Sequence, residues 1–193
     1  MEVKKIVNKT LVDLILKENP RDKVVLDVGS GRGQLTFEIA PFAGYIIGLD
    51  ISEDGVKMAK EYAMSKHIKN VEFLVGDAEC IEYRDMIERE IDMIVSHLCM
   101  SKEIIIRSSY ALRPGFPFIF ACFQSDQLKE LGGSQFSFSE EEMRGLVEDN
   151  GFKVEYLGIE RWQIKLPSKE EVIRTYKTRR WARKNWNELI KYL

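Results

Sequence analysis

The stretch that decides the fold is VLDVGSGRGQ, residues 25–34. An aliphatic run that contains Asp27 leads directly into glycines at every second position, Gly29, Gly31 and Gly33. Glycine lets the backbone approach a ligand closely, and the N–H groups that open a following helix favour an anionic group. The stretch therefore predicts a strand, a tight turn and a helix that together bind a cofactor at the turn.

The same alternation of strand and helix continues along the chain. Almost entirely apolar segments follow at residues 45–50, 71–77, 91–96 and 116–123. Helical patterns separate them at residues 33–40, 53–66, 78–89 and 102–113. Strands that are apolar throughout are typical of a parallel sheet covered by helices on both faces. The sequence predicts an α/β fold with a doubly wound, mostly parallel sheet.

Both ends of the chain carry helical patterns. Apolar residues from Val3 to Ile15 recur at helical spacing, and Asn19-Pro20 ends that pattern. Ser139 with Glu142 predicts a capping box for a late helix, followed by two strands between residues 152 and 166. We expect one domain, with a leading helix (1–19), a cofactor-binding core (22–124), a late helix with the final strands (125–166) and a basic C-terminal helix (168–193).

Composition restricts the class of protein. The chain has 193 residues, of which 45% are hydrophobic. It has no apolar run of about 18 residues that would span a membrane and no signal-peptide pattern, so we expect a cytoplasmic protein. Three widely spaced cysteines and two histidines favour neither a disulfide framework nor a metal site.

Acidic residues at the predicted strand ends indicate the ligand. Asp50 ends the second strand, where a carboxylate can accept hydrogen bonds from a ribose diol. Asp77 ends the third strand, where it can reach an adenine amino group while the Ala78 N–H meets a ring nitrogen. Asp27, before the glycines, can receive a ligand ammonium group. An NAD(P)-dependent oxidoreductase is an alternative, but its G-x-G-x-x-G spacing would need glycine at the position of Gln34.

Five blocks carry a resemblance to a known family: VLDVGSGRGQLTFEIA, IIGLDIS, VEFLVGDAECI, IDMIVSHLCM and ALRPGFPFIF, between residues 24 and 120. In this order and spacing they resemble the class I S-adenosylmethionine-dependent methyltransferases, in particular the small-molecule group. The resemblance implies a seven-stranded sheet whose last strand is antiparallel. It also implies S-adenosylmethionine as the methyl donor and S-adenosylhomocysteine as the product.

The resemblance also assigns roles to residues of the cofactor site. It implies that Asp27, Gly29, Ser30 and Gly31 contact the methionine part and that Asp50 binds the ribose hydroxyls. It further implies that Ile51 packs on adenine and that Asp77 with Ala78 reads the adenine edge. Ser96, at the end of the fourth strand, is included among the predicted cofactor contacts.

A catalytic base is optional in methyl transfer, because the main task of the protein is to align the nucleophile with the methyl group. His97 is the candidate base if the acceptor is a hydroxyl or an acidic carbon, and a histidine that satisfies a backbone carbonyl is the alternative. Tyr83 and Asp126 are further candidates. Residues 96–99 read SHLC, where amino-group methyltransferases carry [N/D]-P-P-[Y/F].

The charge is distributed unevenly. Residues 161–193 hold ten Lys or Arg and three Asp or Glu, a balance of +7, which leaves −9 for the rest of the chain. Arg174, Lys177, Trp181 and Lys184 form a stripe at helical spacing that could hold RNA, and a solvated basic face is the alternative. We expect a small-molecule acceptor ahead of RNA or protein, and a non-catalytic cofactor-binding or RNA-binding homologue as a further alternative.

Overall fold

Five parallel strands form the central sheet. The structure is a computed structural model, and it describes residues 7–124 and 137–159. The strands are β1 (Val24–Val28), β2 (Tyr45–Asp50), β3 (Val71–Val75), β4 (Met93–His97) and β5 (Phe118–Ala121). Their order is β3-β2-β1-β4-β5, and each neighbouring pair is parallel. The predicted α/β fold with a doubly wound parallel sheet is confirmed, with five strands in the described sheet.

Helices connect the strands, and polar side chains fix where the longer ones begin. The helices are α1 (Lys9–Lys17), α2 (Gln34–Ile39), α3 (Glu53–Ser65), α4 (Tyr83–Met86), α5 (Lys102–Ala111) and α6 (Glu140–Asp149). Asn8, Ser52 and Ser101 cap α1, α3 and α5 by accepting a backbone N–H of the first turn. Ser139 and Glu142 form the reciprocal bonds of the predicted capping box at α6.

The core lies on both faces of the sheet. Successive side chains of a strand point to opposite faces, so Leu26 and Val28 pack with the residues of α5 and α6, whereas Val25 packs with α1 and α2. Val56 and Ala59 of α3 form a third cluster around the ring of Phe73. Full burial of each large aliphatic side chain contributes about 1.5–3 kcal/mol. Helices therefore cover both faces of the sheet, and because the five strands are parallel, their carboxyl ends lie at one edge.

Two helices are shorter than the sequence predicted. In the described part of the leading segment, Val7 and Asn8 are not helical, because Asn8 is the cap and α1 begins at Lys9. The pattern at residues 78–89 forms only the single turn of α4. The reason is the preceding turn, in which the N–H groups of Cys80 and Ile81 both donate to the carbonyl of Asp77.

The predicted strand at the start of 152–166 is wrong over residues 152–159, which form no strand. Phe152 and Val154 pack on the core while Lys153 and Glu155 are exposed. The alternation that suggested a strand therefore reflects side-chain packing, with the Phe152 ring 5.3 Å from that of Phe118 in β5.

A small second sheet was not predicted. It pairs β6 (Phe123–Gln124) with β7 (Ser137–Phe138) in parallel, and two-residue strands are too short to leave a periodic signal. Several predictions lie outside the described residues: Asp126, the strand residues 160–166, and the C-terminal helix 168–193 with its basic stripe.

Candidate cofactor and active site

The site lies where the strand order reverses. From β1 the chain adds β2 and then β3 on one side, and it crosses to β4 and β5 on the other. In such sheets, ligands bind in the crevice outside the carboxyl ends of the strands at this reversal. Asp27, Asp50, Asp77 and His97, predicted from separate parts of the sequence, all lie in or just after strand ends at this edge.

The loop after β1 is built against the turn that follows β4. Gly29 and Ser30 both donate their N–H groups to the carbonyl of Leu49, at 2.8 and 3.0 Å. Gly29 has a φ of +74°, and a Cβ atom there would lie 2.2 Å from the Cβ of Cys99. Only glycine fits this position, because any side chain would need both a rare backbone conformation and the space of Cys99.

Ser30 carries an unsatisfied polar atom next to this loop. The residue is 5% exposed, and its Oγ has no hydrogen-bond partner among the described residues. Buried hydroxyl groups nearly always have a partner. A polar ligand group in the adjacent cleft would supply one, so this atom fits a bound cofactor better than an empty turn.

The carboxylate of Asp27 lies beneath the loop. Asp27 is buried, and the hydroxyl of Thr36 in α2 donates to its Oδ2 at 2.6 Å. This bond ties the end of β1 to the first turn of α2 and orients the carboxylate. The arrangement places a carboxyl group under the cleft, where it could accept a hydrogen bond from a ligand ammonium group.

The carboxylate of Asp50 is held at both of its oxygens. Oδ2 accepts the N–H of Gly31 at 2.7 Å, and Oδ1 accepts the N–H of Ser52 at 2.8 Å. A carboxylate has about four acceptor positions, so each oxygen retains capacity for a further donor. Asp50 therefore combines a fixed orientation with the capacity to bind two hydroxyl groups.

The residue after Asp50 has an exposed aliphatic side chain. Ile51 is 67% exposed, so a ligand bound beyond Asp50 could pack on it. Asp77 opens the next loop, where its Oδ1 accepts the N–H of Glu79 at 3.0 Å. Ala78 is buried behind it. An apolar platform beside a carboxylate that can accept from an amino group matches the chemistry of adenine.

The end of β4 contains a strained turn. Ser96 is buried, and its hydroxyl donates to the carbonyl of Cys99 at 2.5 Å. Leu98 has a φ of +61°, which is rare for a residue with a branched side chain, and its N–H donates to the carbonyl of Ala121 at 2.7 Å. The hydrogen bond from the Ser96 hydroxyl thus stabilises the turn that packs against Gly29.

His97 lines the same cleft as the glycine loop. The cleft has a volume of about 200 Å³, including space open to solvent, and is lined by Asp27, Gly29, Ser30, Gln34, Leu35 and His97. His97 is 8% exposed, and its Nε2 accepts the backbone N–H of Asn8 at 3.4 Å. The structure therefore brings the candidate base and the cofactor loop together.

Three neighbours of the site were not predicted from the sequence. Gln34 and Leu35 line the cleft because α2 starts directly after the loop, a position the loop pattern itself could have indicated. Asn8 reaches His97 across 89 positions of the chain, and no local pattern signals such a contact. The further base candidate Tyr83 is not among the residues that line this cleft. Burial raises the pKa of its hydroxyl well above the ordinary value, which opposes a role as a base.

Residues 7–124 and 137–159 contain neither a metal-binding cluster nor a membrane-spanning helix. No group of three side chains there could hold a metal ion. In the same ranges, every helix is too short or too polar to cross a bilayer.

Comparison with known proteins identifies the family. The sequence profile of a family described as "Methyltransferase domain" matches residues 19–174. An uncharacterized methyltransferase, YcgJ of Bacillus subtilis, is 34% identical over 61 residues, which are 32% of this chain and 24% of that protein. A tRNA (uracil(54)-C(5))-methyltransferase of Schizosaccharomyces pombe is 39% identical over 67 residues, 34% of this chain and 12% of the enzyme. The chain thus spans a quarter or less of the length of these two curated relatives.

Solved structures share the fold. The crystal structure of B. subtilis YcgJ superposes with a TM-score of 0.73 at 18% identity, over 94% of this chain and 84% of that one. Magnesium protoporphyrin IX methyltransferase of Synechocystis PCC 6803, solved with bound S-adenosylhomocysteine, gives 0.64 at 20% identity, over 80% and 75% of the two chains. With the family profile covering most of its length, the chain belongs to the class I S-adenosylmethionine-dependent methyltransferases.

Proposed function

We propose that this methyltransferase binds S-adenosylmethionine across the carboxyl ends of β1, β2 and β3 and methylates a small-molecule acceptor in front of β4. The observation that carries the proposal is the meeting of the glycine loop with Asp27, Asp50 and Asp77 at one edge of the sheet. The unsatisfied hydroxyl of Ser30 supports it, because it needs a polar partner at that edge.

The methionine end of the cofactor would lie against the loop after β1. Asp27 would attract the ammonium group, and the backbone of Gly29 and Gly31 would allow close approach. Ser30 would offer its hydroxyl to the ligand. Ser96 would act indirectly, because its bond to Cys99 shapes the turn against which Gly29 packs.

The adenosine end would lie along β2 and β3. Asp50 would accept the two ribose hydroxyls on oxygens already oriented by backbone N–H groups. Ile51 would cover one face of adenine, which would bury its exposed side chain. Asp77 and Ala78 would recognise the edge of the base. S-adenosylmethionine, when bound, supplies an electrophilic methyl group on a sulfonium ion.

We propose His97 as the general base for a hydroxyl or acidic-carbon acceptor. It lines the cleft beside the glycine loop, at the end of β4. A neutral imidazole has one acceptor nitrogen, and in this structure it is Nε2, which accepts the Asn8 N–H at 3.4 Å. The substrate group must therefore displace that N–H before its proton is removed.

Proton removal by a positioned side chain typically contributes about 10²–10⁴-fold to rate. We expect His97→Gln to reduce methyl transfer by about 100-fold while the affinity for S-adenosylhomocysteine stays within about threefold. Equal rates for the variant and the wild type would remove the base assignment.

A small acceptor is favoured by the position of α1. Its N-terminal cap, Asn8, reaches His97, so the helix borders the side of the site where the acceptor would lie. RNA is the second candidate, since the S. pombe relative is named as a tRNA methyltransferase and residues 161–193 carry a balance of +7. Arg174, Lys177, Trp181 and Lys184 would hold it.

Calorimetry followed by labelled-methyl transfer tests the proposal. Titration with S-adenosylhomocysteine is expected to give micromolar binding, and NADH is the control ligand for the oxidoreductase alternative. The protein is then incubated with methyl-labelled S-adenosylmethionine and either a metabolite pool or total RNA. Label in the metabolites supports our proposal. Label in RNA that falls steeply with salt supports the second candidate, and binding without transfer to either supports the non-catalytic alternative.

A further inference from the structure

One peptide group in the loop that follows β3 joins two side chains. The N–H of Glu79 donates to the Asp77 carboxylate at 3.0 Å. The carbonyl of Ala78 accepts the hydroxyl of Tyr83 at 3.1 Å. Both groups belong to the peptide that joins Ala78 to Glu79, so its orientation links the carboxylate to the tyrosine.

Tyr83 is a rigid anchor for this peptide. It is 1% exposed and packs in the cluster of buried residues beside α5, with Ile87 and Ile104. A buried phenol needs a hydrogen-bond partner, and the Ala78 carbonyl is such a partner. Because the ring cannot move without disturbing the core, the hydroxyl holds the carbonyl at a fixed point.

The other side of the same loop is tied to the ribose end of the site. The N–H of Gly76 donates to the carbonyl of Asp50 at 3.0 Å. The loop is thus held by β2 at its start and by Tyr83 of α4 at its centre. Asp77, the only carboxylate in residues 76–78, lies between these two points.

We propose that Tyr83 is a positioning residue for adenine recognition. The 78–79 peptide that Tyr83 holds donates to one oxygen of the Asp77 carboxylate, and the Cys80 thiol donates to the other. With that second bond, Tyr83 keeps the carboxylate in the orientation that accepts the adenine amino group. The inference rests on the proposed function, in which Asp77 contacts adenine. A fixed acceptor favours a ligand that donates an amino group over one that presents a carbonyl oxygen, since the latter leaves the carboxylate facing a second acceptor.

The test compares two ligands on two variants. S-adenosylhomocysteine carries the amino group, and its deaminated analogue S-inosylhomocysteine carries a carbonyl in the same place. We expect the wild type to prefer the first, and Tyr83→Phe to reduce that preference by about threefold to tenfold, the effect of one neutral hydrogen bond. The ratio of two affinities measured on one preparation does not depend on the fraction of protein that is folded.

Tyr45→Phe is the matched control. The Tyr45 hydroxyl donates to Glu72 at 3.3 Å in an exposed position at the start of β2, far from the carboxyl edge of the sheet. The same loss of a phenolic hydroxyl there is expected to leave both affinities unchanged. A reduced preference in Tyr45→Phe as well would overturn the role assigned to Tyr83.

The remaining outcomes separate this inference from the proposed function. An unchanged preference in Tyr83→Phe, or an equal loss for both ligands, overturns the positioning role and leaves the proposed function standing. A wild type that binds both ligands equally overturns the contact between Asp77 and adenine, and the inference with it. A wild type that does not bind S-adenosylhomocysteine overturns the proposed function itself.

Hydrogen exchange on the wild type gives a test that needs no variant. If Tyr83 preorganises the loop, the amide of Glu79, which donates to Asp77, exchanges slowly before any ligand is added. Protection of this amide only after S-adenosylhomocysteine binds would show that the ligand itself orders the loop, which contradicts the positioning role.

Discussion

Replacing Asp50 with alanine is expected to weaken S-adenosylhomocysteine binding by more than tenfold. The carboxylate accepts backbone N–H groups from Gly31 at 2.7 Å and from Ser52 at 2.8 Å. These bonds fix its orientation before the ligand arrives, so little ordering remains to oppose the proposed bonds to the ribose hydroxyls.

The size of the effect follows from those bonds. A hydrogen bond to a charged group contributes about 1.5–3 kcal/mol, and each 1.4 kcal/mol corresponds to about tenfold in affinity. Loss of one ribose bond alone therefore predicts a decrease of about tenfold to a hundredfold. Alanine also leaves the Gly31 N–H without its acceptor, which loosens the loop and adds to the loss.

Calorimetric titration measures the change, and Asp92→Ala is the control. Asp92 also accepts a backbone N–H, that of Val24 at 3.0 Å, but it stands at the amino end of the sheet. Its removal costs stability and is expected to leave the affinity unchanged. Two results would refute the reasoning: Asp50→Ala that binds within twofold of the wild type, or Asp92→Ala that loses as much affinity as Asp50→Ala.

Two further predictions concern the loops around the site. Gly29→Ala is expected to lower the free energy of unfolding in urea more than Gly115→Ala does. Both glycines have positive φ, which costs an alanine about 1–2 kcal/mol, but only at Gly29 would the new Cβ also displace Cys99, at about 1–3 kcal/mol more. Equal losses of stability in the two variants would contradict this. The hydrogen bond to Asp77 raises the pKa of the exposed Cys80 thiol, so its alkylation by iodoacetamide is slow at pH 8 and accelerates as pH rises and the thiolate forms. Asp77→Asn is expected to lower that pKa and speed alkylation at pH 8, and an unchanged rate would exclude the contact.

The sequence was sufficient for elements whose signals are local. The strands around Val25 and Ile47 were predicted because strands buried on both faces are apolar throughout. The capping box at Ser139 was predicted because its two partners are three residues apart. The long helix expected at residues 78–89 does not form, because the Asp77 carbonyl accepts two N–H groups in a turn. Helical periodicity in the sequence does not indicate that turn.

The features of the site also divide into those that the sequence predicts and those that only the folded chain shows. Asp50 and Asp77 were predicted because parallel strands bring their carboxyl ends to one edge. The fit of Gly29 against Cys99 was not, since it depends on two turns 70 positions apart coming within contact distance. The contact between Asn8 and His97 spans 89 positions, and only the folded chain shows it.

The strand order also separates the synthesis of the two neighbours of β1. β2 follows β1 closely in the chain, but the other neighbour, β4, begins roughly 65 residues later, at Met93. At about 5–20 residues per second, roughly 3–13 seconds separate the two strands. During that interval the nascent chain carries an unpaired, apolar edge on β1, the kind of edge that chaperones protect. The arrival of β4 closes this edge and brings Cys99 against Gly29, so the glycine loop gains its final packing when the edge is covered.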